Sequence, residues 1–382
     1  MKSTLLPALA LFAGLSFAAT PAEMAIRVAL GSIEEQPDHY PFYNELAMAY
    51  ARRARETSDS QFYAKAEEAL RKSFAIAPGN FDGRKVETYL QLGRHEFARA
   101  LATATELHKI CPDDVAVHGY LADANIELGN YQEAIDAVQW MLNLRPGNVA
   151  GLTRAASLRE LYGNLAGAFE LTQMAYDSTP FSESEERAWL LTKMAHLHLL
   201  DGDLLAAGKH AQEALTAFPD YPYALSELAR VRSAQSRYPE AVTLLRKRYD
   251  AAPQTGTLYA LAEAEELAGQ RAEAAASFRE FERQARTESM RDENSNRELI
   301  FYYLDHAGEP AKALEIARRE ATVRQDIFTL DSYAWALAGM GDYEGASVQM
   351  QKALAMNVKY PTILFHAGAI ALHLKQTAKA EQ

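Results

Sequence analysis

The stretch VAVHGYLADANIELGNYQEAIDAVQWMLNLRPGN (residues 115–148) decides the fold of this chain. It contains two segments in which apolar and small residues recur every three or four positions, as the buried face of an amphipathic helix requires. Gly129-Asn130 separates the two segments and Pro146-Gly147 follows the second, so both breaks carry residues that end helices. The stretch therefore predicts a helical hairpin.

The same hairpin recurs along the chain. A small residue follows the turn between the two helices in ten places, 32 to 39 residues apart: Ala66, Ala98, Ala134, Ala168, Ala207, Ala241, Ala274, Ala313, Ala346 and Ala380. A glycine lies five positions before it at Gly93, Gly129, Gly163, Gly202, Gly269, Gly308 and Gly341. A proline lies twelve positions after it at Pro78, Pro146, Pro180, Pro219 and Pro253. Self-similarity at a period near 34 residues predicts a stacked repeat rather than two or three separate globular domains.

Each of these alanines has a predicted partner in the first helix of its hairpin. That position holds a small residue in most copies: Ala47, Ala122, Ala156, Ala195, Ala229, Ala262, Ala334 and Gly368. Two small side chains that face each other allow two helices to approach closely, so that the flanking leucines interlock. A single hairpin cannot bury both of its faces, and each hairpin is therefore expected to depend on its neighbours.

These patterns resemble the tetratricopeptide repeat (TPR). Its first helix, helix A, carries Leu and a small residue, and Gly, an aromatic residue, Ala and Pro surround helix B. Residues 115–148 supply Leu121, Ala122, Gly129, Tyr131, Ala134 and Pro146, and residues 327–360 supply Ala334, Gly341, Tyr343, Ala346 and Ala353. The resemblance covers roughly residues 41–382. It implies an all-α fold, a right-handed α-solenoid of about ten helix-turn-helix repeats.

The N-terminal residues 1–19 have the composition of a secretory signal peptide. They combine Lys2, an apolar run too short to span a bilayer, and small residues at Ser16 and Ala18. An uncleaved membrane anchor is the alternative. Cys111 is the only cysteine, so the cleavage site has no lipoprotein cysteine. We expect a periplasmic or secreted protein with no transmembrane segment in the mature chain.

The rest of the chain can be divided into three segments according to how regular its repeats are. Residues 20–40 are expected to form a leader or an N-terminal cap, residues 41–288 hold repeats 1–7, and residues 289–382 hold repeats 8–10. Five residues (183–187) are inserted before repeat 5, and the polar stretch 286–297 predicts a loosening of the superhelix. Repeat 8 departs from the pattern, because Phe301 stands where helix A should be small and Pro310 lies in the first turn of helix B.

The net charge and the motifs of the sequence limit the classes of function that the chain can have. The formal net charge is −12, and −13 once Lys2 is removed, so the chain repels nucleic-acid phosphates. His196 and His198 are two residues apart and lie on different sides of a helix, which excludes a shared metal ion. Asp201-Gly202-Asp203 lacks the later ligands of a calcium loop. No catalytic, cofactor or metal motif is present, which indicates a protein that is not an enzyme. An enzyme site assembled from different repeats is the alternative.

In TPR arrays, the second, fifth, ninth and twelfth positions of helix A line the concave groove. The resemblance therefore implies a partner-binding groove lined by Asp123, Trp189, His196, Tyr223, Arg230, Tyr259, Glu263, Tyr302, Asp331 and Trp335. Aromatic rings among charges suit an extended peptide or stacked sugars. Packing of these rings against the next repeat is the alternative for any one of them.

The predicted function is a non-catalytic scaffold or adaptor that binds another protein, such as a member of an envelope complex. The alternative is envelope polysaccharide binding, or an accessory role in export. The last repeat, residues 361–382, stops five residues into its second helix and leaves Ile363, Leu364 and Phe365 with almost no partner. Either the chain is cut short, or this helix pairs with another molecule, which would permit self-association through the C-terminal helix.

Overall fold

The computed structural model describes residues 19–289 and 296–381, and every regular element in these ranges is helical. After α1 (Pro21–Glu35), the described helices form ten consecutive pairs. The A helices are α2 (Tyr40–Thr57), α4 (Phe81–Gly93), α6 (Val115–Leu128), α8 (Val149–Leu161), α10 (Ser184–Leu200), α12 (Pro222–Ala234), α14 (Thr255–Leu267), α16 (Arg297–Phe301), α18 (Ile327–Gly339) and α20 (Pro361–His373). The B helices are α3 (Gln61–Ile76), α5 (Phe97–Ile110), α7 (Tyr131–Leu144), α9 (Leu165–Ser178), α11 (Leu204–Ala217), α13 (Tyr238–Ala251), α15 (Arg271–Glu288), α17 (Pro310–Val323), α19 (Tyr343–Ala353) and α21 (Thr377–Ala380). The fold is an α-solenoid.

The segment before the first pair begins with a capped helix. Thr20 is the N-cap of α1, and its side chain accepts a hydrogen bond from the backbone of Glu23. The buried Glu56 of α2 accepts hydrogen bonds from Thr20 Oγ1 at 2.6 Å and from the backbone nitrogen of Ala22 at 3.0 Å. These bonds hold α1 against α2. Most of the predicted signal peptide, residues 1–18, lies outside the described residues.

The alanine pairs that the sequence predicts are buried. Ala122 and Ala134 are both fully inaccessible and belong to one core cluster with Val138 and Leu158. The helix ends also follow the prediction, because the B helices stop two residues before Pro78, Pro146, Pro180, Pro219 and Pro253. Proline cannot donate the next backbone hydrogen bond, so it fixes where each B helix ends.

The turn glycines are expected to end the A helices in the left-handed conformation, and this is confirmed at six of the seven positions and wrong at one. Glycine has a positive φ at Gly129, Gly163, Gly202, Gly269, Gly308 and Gly341. In the second pair, however, Gly93 is still helical and the left-handed residue is His95, with φ +64°. Gly93 is needed for space instead, since a Cβ there would lie 2.6 Å from the Tyr63 hydroxyl oxygen.

The irregular eighth repeat contains a π-helical turn. Helix α16 has only five residues and continues as a π turn over Tyr302–His306, in which the Ala307 nitrogen donates to the Tyr302 oxygen at 2.9 Å. Pro310 begins α17, as predicted. The predicted loosening over 286–297 lies partly outside the described residues, since 290–295 are not among them.

Successive turns of the superhelix touch. The A–B turns of the first four pairs lie against parts of the chain that are near A helices six or, for the second pair, seven pairs later. Gln254 Nε2 donates to Ser58 O at 2.9 Å, the Arg324 guanidinium lies 5.9 Å from the centre of the Phe97 ring, Gln325 N donates to Leu128 O at 3.1 Å, and the Tyr360 hydroxyl donates to Glu160. The solenoid therefore completes one superhelical turn in about six repeats, and the turns stack.

Ion pairs also cross the interior of the first turn. Arg55, at the end of α2, donates to the carboxylate of Glu185, at the start of α10, from Nε at 2.9 Å. The Tyr221 hydroxyl donates to the same carboxylate at 2.6 Å, and Arg52 pairs with Glu183 at 2.6 Å. The 183–187 insertion thus supplies the acidic partners for a basic segment of the first repeat.

Candidate binding surface inside the superhelix

The predicted groove residues all lie on A helices or on the π turn, but they differ in accessibility. Tyr259 is 7% exposed and packs against Phe278 and Phe281, and Asp331 is 2% exposed. Trp189 is half-buried against a core cluster. Asp123 forms an ion pair with Arg154, whose Nε lies 2.8 Å from Asp123 Oδ1. These four side chains therefore take part in packing within a repeat or between neighbouring repeats.

His196 lies at the centre of a charged cluster inside the first turn. Its Nε2 lies 3.2 Å from Glu160 Oε1 and its Nδ1 lies 3.3 Å from Glu227 Oε1. Lys193 Nζ is 3.3 Å from Glu160 Oε2, and Glu160 Oε1 also accepts a hydrogen bond from the Tyr360 hydroxyl of the next superhelical turn. Burial disfavours the imidazolium, but the two carboxylates outweigh it and raise the pKa of His196.

The same contacts lower the pKa of Glu160 and Glu227, although burial opposes the shift. Arg230 is more exposed and lies 3.3 Å from the second oxygen of Glu227. The acidic and basic side chains of the cluster thus neutralise one another. Their contacts join neighbouring A helices, and Tyr360 adds a contact across the seam between successive superhelical turns. Such an arrangement locks the geometry of the superhelix.

The raised pKa of His196 predicts that the folded protein loses stability as the pH rises. A raised folded-state pKa stabilises the protein below the unfolded pKa of about 6.5, and this stabilisation is lost as pH rises through the folded value. The melting temperature is therefore expected to fall between pH 6 and pH 9, and His196→Gln is expected to flatten this fall. His198→Gln is the matched control, since burial and His210 lower the pKa of His198 and give the opposite slope. Equal slopes in the wild-type protein and His196→Gln would contradict the assignment.

The C-terminal half presents a more accessible surface, which we call the C-terminal groove: Glu263, Glu266, Tyr302, Asp305, His306, Trp335 and Phe365. Trp335 Nε1 donates to Asp305 Oδ1 at 3.0 Å, and the Trp335 ring stacks on His366 with centroids 4.2 Å apart. His366 is held in turn by Asp331, 2.8 Å from its Nδ1. Phe365 is 67% exposed, with its ring 6.2 Å from Trp335. Trp335 is therefore rigidly oriented beside an exposed aromatic ring.

Acidic side chains border these rings. His306 Nδ1 lies 3.2 Å from Glu266 Oε2, and its Nε2 lies 3.9 Å from Glu263 Oε1. Burial lowers the pKa of His306, but Glu263 and Glu266 outweigh this effect and raise it. Tyr302 lies next to His306 and directs its hydroxyl to Glu282 at 3.3 Å. The groove combines flat rings with a surplus of carboxylates.

Several residues of the C-terminal groove and of the His196 cluster were missing from the sequence prediction. Asp305 and His306 depend on the π turn, and a π turn leaves no periodic signal in the sequence. Phe365 stands at the fifth position of α20, so the rule used for the other A helices would have found it. Glu160 stands at the twelfth position of α8, and Tyr360 reaches it only because the turns stack.

Within 19–289 and 296–381, no three His, Cys, Asp or Glu side chains are grouped so that they could hold a metal ion. Over the same ranges, every helix is too short or too polar to pass through a bilayer.

Comparison with known proteins addresses the fold. A family model described as tetratricopeptide repeat matches residues 84–149 and 192–255. No curated protein matches the chain. Among solved structures, the chain resembles the human IFIT1 dimer with PPP-AAAA at 14% identity and a TM-score of 0.51, over 87% of each chain. It resembles a chain of the APC/C hetero-tetramer Cut9-Hcn1 at 13% identity and a TM-score of 0.55, over 92% of this chain and 58% of that one. At these identities the likeness shows the fold alone.

Proposed function

The chain is a tetratricopeptide repeat protein, and from this premise we propose that it is a non-catalytic scaffold whose C-terminal groove holds an extended segment of a partner protein. The observation that carries the proposal is the pair of rings at Trp335 and Phe365. Trp335 is fixed by Asp305 and His366, so it loses little conformational freedom on binding, and Phe365 offers exposed apolar area beside it. Rigid aromatic anchors of this kind dominate protein interfaces.

The charges of the groove indicate which side chains the partner segment should present. Glu263 and Glu266 have side chains 44% and 55% exposed, and Asp305 is exposed beside them. The whole chain carries a net charge of −12. A segment that places a large apolar side chain against Trp335 and lysine or arginine beside Glu263 and Glu266 satisfies both features. Tyr223 and Arg230, which are also accessible, continue the predicted groove towards the middle of the array.

We further propose that the scaffold works outside the cytoplasm, as part of an envelope complex. The support is the composition of residues 1–19, where an apolar run follows Lys2 and precedes small residues. The acidic charge also disfavours nucleic acid as the partner.

The test is capture from envelope extract with residues 20–382 as bait. We expect one partner whose retained segment, identified by proteolysis and mass spectrometry, is basic. Trp335→Ala is expected to weaken its binding at least about tenfold, as loss of a central anchor does. Trp140→Ala is the matched control, since Trp140 lies on the B helix α7 and is 52% exposed. Equal capture by both variants, with unchanged helical content, would place binding elsewhere.

A second copy of this chain is the other occupant that a specific observation favours. Leu364, Phe365 and Leu372 of α20 are 43%, 67% and 59% exposed. Light scattering of the bait at tens of micromolar distinguishes the two occupants. A dimeric mass that Phe365→Glu abolishes would assign this end of the array to self-association, whereas a monomeric mass leaves it to the partner. Saccharide-induced protection of Trp335 fluorescence, with no protein captured, would instead favour polysaccharide binding.

A further inference from the structure

A cavity of about 920 Å³ lies at the seam between successive superhelical turns, away from the C-terminal groove. One wall comes from the first two repeats and includes Tyr63, Arg94 and Arg99, and the opposite wall comes from repeats 6 and 7 and includes Tyr223 and Arg248. The volume is that of a small-molecule site. The cavity exists only because the solenoid closes a turn in about six repeats.

The cavity wall has an excess of positive charge. It contains three arginines and a single carboxylate, Glu96. Arg99 pairs with Glu96 at 2.5 Å, and Arg94 pairs with Glu67 outside the wall. Among the described residues, Arg248 forms no ion pair. Within the part of the chain that the structure describes, its guanidinium contacts the neutral Ser226 hydroxyl, Gln254 Oε1 at 3.1 Å and the Tyr223 ring, whose centre is 5.9 Å away, and the charge of Arg230 also acts on it.

Two donors, one on each wall of the cavity, are unsatisfied. Arg248 Nε and Ser58 Oγ are both buried and without a hydrogen-bond partner in the described structure. Leaving a buried donor without a hydrogen-bond partner is unfavourable, so a bound water, ion or ligand is expected to satisfy such groups. Burial also lowers the pKa of Arg248, as expected for a buried cation that has no carboxylate beside it.

Gln254 holds this arrangement in place. Its Nε2 donates to Ser58 O at 2.9 Å across the seam, while its Oε1 accepts from Arg248 Nη2. The guanidinium is therefore fixed relative to both walls before any ligand arrives. A planar guanidinium in a fixed orientation suits the paired oxygens of a carboxylate or phosphate.

We propose that the seam cavity is a binding site for a small anionic ligand, whose carboxylate or phosphate group pairs with Arg248 and whose ring lies between Tyr63 and Tyr223. The ligand bridges two superhelical turns, so its binding stabilises the wound form of the solenoid. This site shares Tyr223 with the groove residues predicted from the sequence, but it contains no residue of the C-terminal groove, and it is tested without the partner protein.

The probes are sodium benzoate and phenyl phosphate, which present the same ring with a carboxylate or a phosphate. Dissociation constants are measured by calorimetry at constant ionic strength, with benzylamine as the cationic counterpart. We expect at least one anion to bind in the millimolar range or tighter and to raise the melting temperature. The better of the two anions identifies the group. Benzylamine is expected not to bind.

Arg248→Gln is expected to weaken anion binding at least tenfold. Lys247→Gln, which removes an exposed charge from the adjacent position of α13, is expected to leave it unchanged. If Arg248→Gln does not fold by circular dichroism, Arg248→Lys replaces it, and we expect weakened binding because the charge remains but the planar guanidinium is lost. Equal affinity in the wild-type protein and the Arg248 variant, binding of benzylamine, or no anion binding up to tens of millimolar would overturn the proposal.

Discussion

Replacing Ala134 with glutamate is expected to unfold the middle of the array. Ala134 is fully inaccessible and shares a core cluster with the equally buried Ala122, so the two helices of the pair leave no space for a longer side chain. The carboxylate would enter this contact without a partner, at a cost of several kcal/mol. Since whole domains are stable by only about 5–15 kcal/mol, the loss is a large fraction of the total.

The measurement is a thermal melt followed by circular dichroism, in which Ala134→Glu is expected to lower the midpoint by at least about 10 °C. Gln139→Glu is the matched control, because it adds the same charge to an exposed position of the same helix, α7. The control is expected to melt within about 2 °C of the wild-type protein. Unchanged melting of Ala134→Glu would contradict the repeat alignment itself.

The repeat fold was predictable because its determinants are local. Ala122 and Ala134 reveal the contact between the two helices, and Pro146 reveals where the second helix ends. The closure of the superhelix was not predictable in the same way. A small rotation at each repeat accumulates over six repeats, and no single residue encodes that sum. The 183–187 insertion is the one local feature that is connected with this closure, because it contains Glu185, which pairs with Arg55 of the first repeat.

The candidate surface was predictable only in part. The position of a residue on helix A indicates which way its side chain points, and Trp335 and Glu263 are among the predicted residues that are at least partly exposed. The neighbouring repeat decides how deeply it is buried, and sequence position does not reveal that for Tyr259 or Asp331. The pairing of Glu160 with Tyr360 joins residues 200 positions apart, so it belongs to the superhelix rather than to either repeat.

Gly163→Ala is expected to separate the stacked turns of the superhelix. Gly163 has φ +71°, and a Cβ at this position would lie 2.1 Å from the carbonyl oxygen of Asn357 in the next turn. Neither group yields easily, since both belong to the backbone. The chain near Asn357 must therefore move away, and Tyr360, three residues further on, would lose its hydrogen bond to Glu160. Gly129 is equally confined, with Gln325 C 2.6 Å from its Cβ position.

Gly202→Ala separates this steric effect from backbone strain. Gly202 occupies the same turn of another repeat, with φ +84°, but a Cβ there would meet nothing within 4 Å. Both variants incur roughly 1–2 kcal/mol because alanine disfavours a positive φ. Only Gly163→Ala should destabilise the protein further and raise the radius of gyration measured by small-angle X-ray scattering. Both the seam cavity and the hydrogen bond from Tyr360 to Glu160 require stacked turns, so identical behaviour of the two variants would remove the structural basis of each.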